Sequence, residues 1–134
     1  MFKFATSFNS DISNWDVGSV SNMQSMFEGA SSFNSDISNW NVSTVTNMRY
    51  MFYNAQTFNS DISRWNVNSV TNVRYMFNGA SSFNQNLCPW GPKLPSNFDY
   101  GTFTDSMFVR SGCLDTNSPT GPTGPWCAVT NCSP

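Results

Sequence analysis

A right-handed repeat solenoid, each coil a short strand followed by a short α- or 3₁₀-helix, is the fold this chain predicts. Three observations predict it. The first is a fixed period of 25 residues: Phe8, Phe33, Phe58 and Phe83 keep it, and so do Trp15, Trp40, Trp65 and Trp90. The second is that the recurring positions are mostly apolar. Ile12, Ile37, Ile62 and Leu87 form one column, and Met26-Phe27, Met51-Phe52 and Met76-Phe77 form another. A unit this short buries its apolar side only against its neighbours, which is the logic of a stacked repeat. The third is the pattern inside one unit, where a two-residue alternation gives way to three- and four-residue spacings.

Within the first unit, Ile12-x-x-Trp15-x-Val17 alternates with Asn14 and Asp16, the mark of a half-buried strand. The same string has the L-x-x-L-x-L grammar of a leucine-rich repeat. Met23, Met26, Phe27 and Ala30 then suit one or two helical turns with an inward apolar stripe. Asn22, Asn47 and Asn72 stand where an N-cap belongs. The regular repeats occupy residues 1–90, and a Pro/Gly-rich C-terminal region occupies 91–134. Between Trp90 and Met107 lie 17 positions, against 11 between Trp15 and Met26, so six residues are inserted before Met107-Phe108 re-enters the register. Ser118 to Pro125 is too rich in Pro and Gly for helix or interior strand, and is expected to lie extended across the last coil. Met1 to Asn9 matches the register of Met26 to Asn34, so the sequence opens in mid-repeat, and a fragment of a longer chain is the expectation.

Composition narrows the function. Of 134 residues only 10% are charged, with six basic and eight acidic side chains and a net charge of −2. Without a run of Lys or Arg, the electrostatic footprint for nucleic acid or an anionic membrane is missing. No stretch of about 20 apolar residues is present, so membrane insertion is not expected. Histidine is absent, which removes the commonest general base and neutral metal ligand. No nucleophile has a base beside it and no glycine-rich phosphate loop occurs, so neither an enzyme nor a cofactor is expected.

The four cysteines, Cys88, Cys113, Cys127 and Cys132, lie outside the regular repeats. Two disulfides are expected, in an oxidising compartment. Zinc is the rival, but paired C-x₂-C knuckles and histidines are lacking. Of three pairings, Cys88–Cys113 with Cys127–Cys132 is favoured: the first would clip the last coil and the second would close a short terminal loop.

Several polar columns are candidate sites. Asn14, Asn39 and Arg64, with Asp16, Asn41 and Asn66, would point from the strand face, the usual binding surface of such a solenoid. Asn41-Val42-Ser43 and Asn131-Cys132-Ser133 are glycosylation sequons, so a glycan on Asn41 would block that face. Arg49, Tyr50, Arg74 and Tyr75 form a patch of residue types enriched at protein interfaces. Asp11, Asp36 and Asp61 are a carboxylate column, able to hold calcium with Ser10, Ser35 and Ser60, but favoured as turn residues. Asn9, Asn34, Asn59 and Asn84 are expected to ladder onto backbone at a turn. Ser19-Val20-Ser21, Thr44-Val45-Thr46 and Ser69-Val70-Thr71 stack as hydroxyl rows, which opens an ice- or crystal-binding alternative.

The string from Phe33 to Met48, closed by Met51-Phe52 and Ala55, resembles the BspA-type leucine-rich-repeat surface proteins of bacteria and unicellular eukaryotes. The resemblance covers residues 1–90. The tail, with Cys88-Pro89-Trp90, Gly112-Cys113 and Gly124-Pro125-Trp126-Cys127, is similar to the cysteine-bearing C-terminal cap of algal-type members. The resemblance implies a secreted or cell-surface adhesion or structural module without enzyme activity, working by contact with a protein or glycan surface. Phe2, Phe4 and Phe8 at the first coil add head-to-tail self-association as a branch of that reading.

Overall fold

The computed structural model describes residues 1–132. The 25-residue units lie one against the next, joined by backbone hydrogen bonds at constant offset. The N–H groups of Met23, Ser25, Phe27 and Gly29 donate to the carbonyls of Asn47, Arg49, Met51 and Tyr53 at 2.7–2.9 Å. Met48, Tyr50, Phe52 and Asn54 donate in the same way to Asn72, Arg74, Met76 and Asn78. Isolated parallel bridges Asn22–Asn47 and Asn47–Asn72 mark the start of this paired run.

The paired run is not where the alternation placed a strand. Residues 12–17 make turns instead, with Trp15 N–H donating to the Ile12 carbonyl at 3.1 Å. The expected helix at 23–30 is also missing. Within that run Met26, Glu28 and Ala30 donate to the carbonyls three residues back, while the residues between them donate to the next unit. The physical cause is two columns of left-handed backbone. Ser25, Tyr50, Tyr75 and Ser106 have φ of 54° to 59°. Phe4, Gly29, Asn54, Gly79 and Arg110 have φ of 56° to 78°. A helix needs unbroken φ near −60°, so a left-handed residue at every fourth position forbids it. Each non-glycine residue there costs on the order of 1–2 kcal/mol, offset here by the inter-unit bonds it makes possible. Among the described residues the helices are a 3₁₀ segment Cys88–Lys93 and an α-turn Tyr100–Phe103.

The inserted residues fall where the register predicts. Val73, Tyr75, Phe77 and Gly79 donate to Phe103, Asp105, Met107 and Val109, an offset of 30 where the regular units have 24. The difference of six is taken up between Cys88 and Phe103, where both helical segments lie. Met107-Phe108 thus rejoins the stack, with Phe108 stacked 5.8 Å from Phe77.

Two phenylalanine ladders form the core. Phe2, Phe27, Phe52, Phe77 and Phe108 stack at 5.5–5.8 Å between ring centroids. Phe8, Phe33, Phe58 and Phe83 stack beside them at 5.8–5.9 Å. Within each unit the two rings lie face to face at 3.9–4.0 Å. The tryptophan column adds a polar tie. The indoles of Trp40, Trp65 and Trp90 donate to the carbonyls of Ile12, Ile37 and Ile62, each at 3.0 Å. That satisfies the one polar atom a buried tryptophan carries. Trp40 and Trp65 are 4% and 1% exposed, while Trp15, in the first unit, is 43% exposed.

Residues 113–132 fold against the last units. Trp126 is buried, edge-on to Trp90 at 6.4 Å, and its indole donates to the Pro122 carbonyl. The Pro119 carbonyl accepts from the Thr104 hydroxyl at 3.0 Å. Gly91 must be glycine, because the Pro122 carbonyl occupies the place its Cβ would take. The disulfides are Cys88–Cys132 and Cys113–Cys127, which corrects the pairing expected from sequence. Cys127 cannot turn toward Cys132. An antiparallel bridge from Asn86 to Cys127 and the bond from Asp115 N–H to the Cys127 carbonyl hold it inward beside Cys113. Cys132, tied by its N–H to the Thr123 carbonyl, stays at the rim beside Cys88.

Candidate functional site

Most polar side chains of the repeat are engaged in building it. Asp11, Asp36 and Asp61 each accept from the N–H two residues on, at Ser13, Ser38 and Ser63, at 2.9 Å. Asp16, Asn41 and Asn66 do the same for Gly18, Ser43 and Asn68. Asn22, Asn47 and Asn72, expected as N-caps, accept from Gln24, Arg49 and Arg74. Without a helix to cap, the capping bond survives as an Asx turn. Each regular unit therefore turns at three side-chain-locked corners.

The asparagine column forms the expected ladder. Asn34 N–H donates to Asn9 Oδ1, Asn59 N–H to Asn34 Oδ1 and Asn84 N–H to Asn59 Oδ1, at 2.8–2.9 Å. The next column over, offered by the sequence as possible calcium partners, supports this ladder instead. Ser35 Oγ donates to the Ser10 carbonyl, Ser60 Oγ to that of Ser35, and Gln85 Nε2 to that of Asn59. Its signal was the recurrence of Ser10, Ser35 and Ser60 with Gln85.

These bonds redefine the binding candidates. Asp16, Asn41 and Asn66 are exposed, but their Oδ1 atoms are held in turns and lie on no strand. Asn14, Asn39 and Arg64 are exposed at the neighbouring corner. Asn41 Oδ1 also accepts from the Ser43 hydroxyl at 2.7 Å, so the sequon is closed on itself with Asn41 at the surface. Asn131 is exposed, while its sequon partner Ser133 lies outside the described residues.

The carboxylate column behaves as turn residues. The Ser13, Ser38 and Ser63 hydroxyls and N–H groups hold Asp11, Asp36 and Asp61 below the ordinary value of 3.8. The neighbouring Asp11 charge pushes Asp36 slightly the other way, and Arg64 draws Asp61 further down. Asp36, Ser38, Ser60, Asp61 and Arg64 line a shallow space of about 310 Å³. Among the described residues no three His, Cys, Asp or Glu side chains converge as a metal site would require.

In the hydroxyl rows, Thr44 Oγ1 donates to the Gly18 and Val20 carbonyls, Thr46 Oγ1 to Ser21 and Thr71 Oγ1 to Thr46. Their hydrogens point back into the previous unit rather than to an ordered water layer. Phe4 is exposed, whereas Phe2 and Phe8 are partly covered by each other and by the ladders.

Arginine and tyrosine form a second, outward ladder. Tyr50 and Tyr75, both left-handed, stack at 5.0 Å. The guanidinium of Arg49 lies 4.8 Å from the Tyr50 ring centre, and that of Arg74 lies 5.7 Å from Tyr75. Tyr53 meets Tyr50 edge-on at 5.3 Å. Arg74 pairs with Asp105 at 3.3 Å, while Arg49 meets no carboxylate among the described residues. Arg110 donates to Asn78 Oδ1 at 3.1 Å. A separate hollow of about 450 Å³ lies beside the Cys88–Cys132 disulfide, lined by Asn86, Pro89, Pro92, Pro122 and Thr123.

No helix among the described residues is long and apolar enough to cross a membrane. The two disulfides are compatible with an extracellular protein. A family model described as a Mycoplasma protein of unknown function, DUF285, matches residues 1–111, the span over which the paired runs continue. Neither a curated protein nor a solved structure matches the chain.

Proposed function

We propose, from the premise that the chain belongs to the DUF285 family, that it is a non-enzymatic solenoid module of the BspA-like surface type. It acts outside the cell, by contact with a protein or glycan surface. The observation that carries this reading is the division of labour among polar side chains. Asx turns and the asparagine ladder engage most of them in holding the stack rigid. What is left to meet a partner is a set of outward columns repeating at the unit spacing. A rigid, repetitive surface suits contact recognition, because few side chains must be ordered on binding. The disulfides support an extracellular setting.

The test is binding of the purified, oxidised chain to an array of glycans and of immobilised extracellular proteins. Saturable binding to at least one surface is expected, with loss of that binding on thermal unfolding. Failure to bind any member at high micromolar protein overturns the reading. The ice-binding alternative is disfavoured by the inward-pointing threonine hydroxyls, and an absence of thermal hysteresis is the expected result.

A further inference from the structure

We infer that the Arg–Tyr ladder is a binding site for a carboxylate-bearing polysaccharide, a chain of uronic acids. The inference rests on the contact-module reading above and names the face and partner class within it. Three of the six cations of an overall acidic chain, Arg49, Arg74 and Arg110, gather on this side; Arg74 pairs with Asp105 and, one column over, Lys3 pairs with Glu28, which leaves Arg49 and Arg110 without a carboxylate among the described residues. The geometry decides how the face can recognise a partner. Tyr50 and Tyr75 stack on each other, and the guanidiniums of Arg49 and Arg74 lie over the two rings. Their faces are therefore taken, and a neutral sugar has no open ring to lie on. What the face offers is donors, the guanidinium tips and the phenol hydroxyls. The Nε atoms of Arg49 and Arg74 are shielded and have no acceptor, so binding falls to the tips; that of Arg74 already donates to Asp105, and Arg49 presents the open fork. A guanidinium fork fits a planar carboxylate with two parallel bonds.

The donor set favours a glycan over a peptide. Beside the guanidinium tips stand the phenol groups of Tyr50 and Tyr53, in edge-on contact at 5.3 Å. Their hydroxyls suit the sugar hydroxyls that accompany each carboxylate of a uronic acid chain, which an acidic peptide lacks. The tyrosine stack fixes the arginines in place before binding, so little side-chain entropy is lost when the anion arrives.

The experiment measures binding of the whole oxidised chain to polygalacturonate, to a neutral glucan and to poly-glutamate, by calorimetry at low and at 0.5 M salt. Binding to polygalacturonate alone, weakened by salt, is the expected result. Arg49→Gln and Arg74→Gln should each reduce the affinity about tenfold, the loss of one charge-assisted bond. Thr116→Glu, the same change in net charge at an exposed position outside the ladder, should leave it within about twofold and serves as the charge control. Unchanged thermal unfolding of each variant separates lost contact from lost fold. Equal loss in Thr116→Glu reduces the effect to net charge and overturns the site. Equal or tighter binding of poly-glutamate overturns the glycan assignment. If the chain binds another array member but not polygalacturonate, this inference fails and the contact-module reading stands. If nothing binds, both fail.

Discussion

Residues 8–112 and residues 113–132 hold together by different means. The first stretch is joined by a run of backbone bonds repeated at a fixed offset, by two phenylalanine ladders and by the indole ties, and no disulfide closes within it. The second has scattered bonds, one buried tryptophan, and two disulfides, Cys88–Cys132 tying it to the first stretch and Cys113–Cys127 closing within it. The difference teaches what repetition supplies. Where each unit has a like neighbour, the backbone of the paired run finds its partners at a fixed offset, and identical side chains fill the interior. Where the repeat stops, there is no next unit to bond, and covalent links take over from register.

The sharpest way to break this contrast is to remove a neighbour-buried side chain. Trp65 is 1% exposed, with its indole bonded to Ile37 of the preceding unit. Trp65→Ala should cost about 3–5 kcal/mol, the usual range for deleting a buried aromatic. Trp15 holds the same register position but is 43% exposed, so Trp15→Ala should cost less, about 2 kcal/mol. Urea unfolding of the two variants side by side is the check. Equal costs would mean that the column is not stabilised by its neighbours.

The disulfides come next. Cys88–Cys132 closes a separation of 44 residues and Cys113–Cys127 one of 14. Loop-closure entropy assigns them about 4 and about 3 kcal/mol. The paired variants Cys88→Ser with Cys132→Ser, and Cys113→Ser with Cys127→Ser, should lose stability in that order. Limited proteolysis should then cut first between residues 114 and 131, leaving the phenylalanine-laddered stretch protected. Simultaneous cleavage in both stretches would show that the stack depends on the links as well.

This contrast also explains what the sequence disclosed. The 25-residue columns, the asparagine ladder and the six-residue insertion were legible, because each is a matter of counting along the chain. The local backbone was not. Met23, Met26, Phe27 and Ala30 have helical spacing, and the same spacing serves a chain that reverses at every fourth residue. A signal existed in Gly29, Asn54 and Gly79, the residue types that accept left-handed backbone. The companion column of Ser25, Tyr50 and Tyr75 carried none, since its φ is imposed by inter-unit bonds. The disulfide pairing was unreadable for the reason the second region differs at all: nothing in its sequence repeats, so nothing reports where Cys127 will point. On the candidate site, the Arg–Tyr patch was visible as composition, but its mutual stacking and the covered ring faces come from the fold. At the corner residues, period two arises from turns closed by Asp16, Asn41 and Asn66, and no strand pairing lies behind it.

The smallest effect concerns pH, and it separates the two regions by chemistry. Asp11, Asp36 and Asp61 lock the corners of the first three units, and Asn86 does the same for the fourth, accepting from Cys88 N–H at 2.9 Å. The three carboxylates are held below 3.8 by the hydrogen bonds they accept from serine. A carboxylate whose folded value is depressed binds fewer protons folded than unfolded. Its contribution is therefore complete above the unfolded value and is lost as pH falls through the folded one. The unfolded value lies near 3.9, so the loss occupies the range below about pH 4. These groups are exposed, so the change per corner is small and screened by salt. Asp61→Asn should behave at pH 7 like the natural corner at Asn86, with melting temperature nearly unchanged. Between pH 4 and pH 2 the variant should lose less stability than the parent, because the amide keeps the turn without a proton to gain. The fourth corner, already an amide, should show no acid sensitivity in hydrogen exchange of the Cys88 N–H, while the Ser13, Ser38 and Ser63 amides lose protection. An identical acid response at all four corners would mean that the carboxylates contribute nothing the amide lacks, and that acid acts on the stack elsewhere.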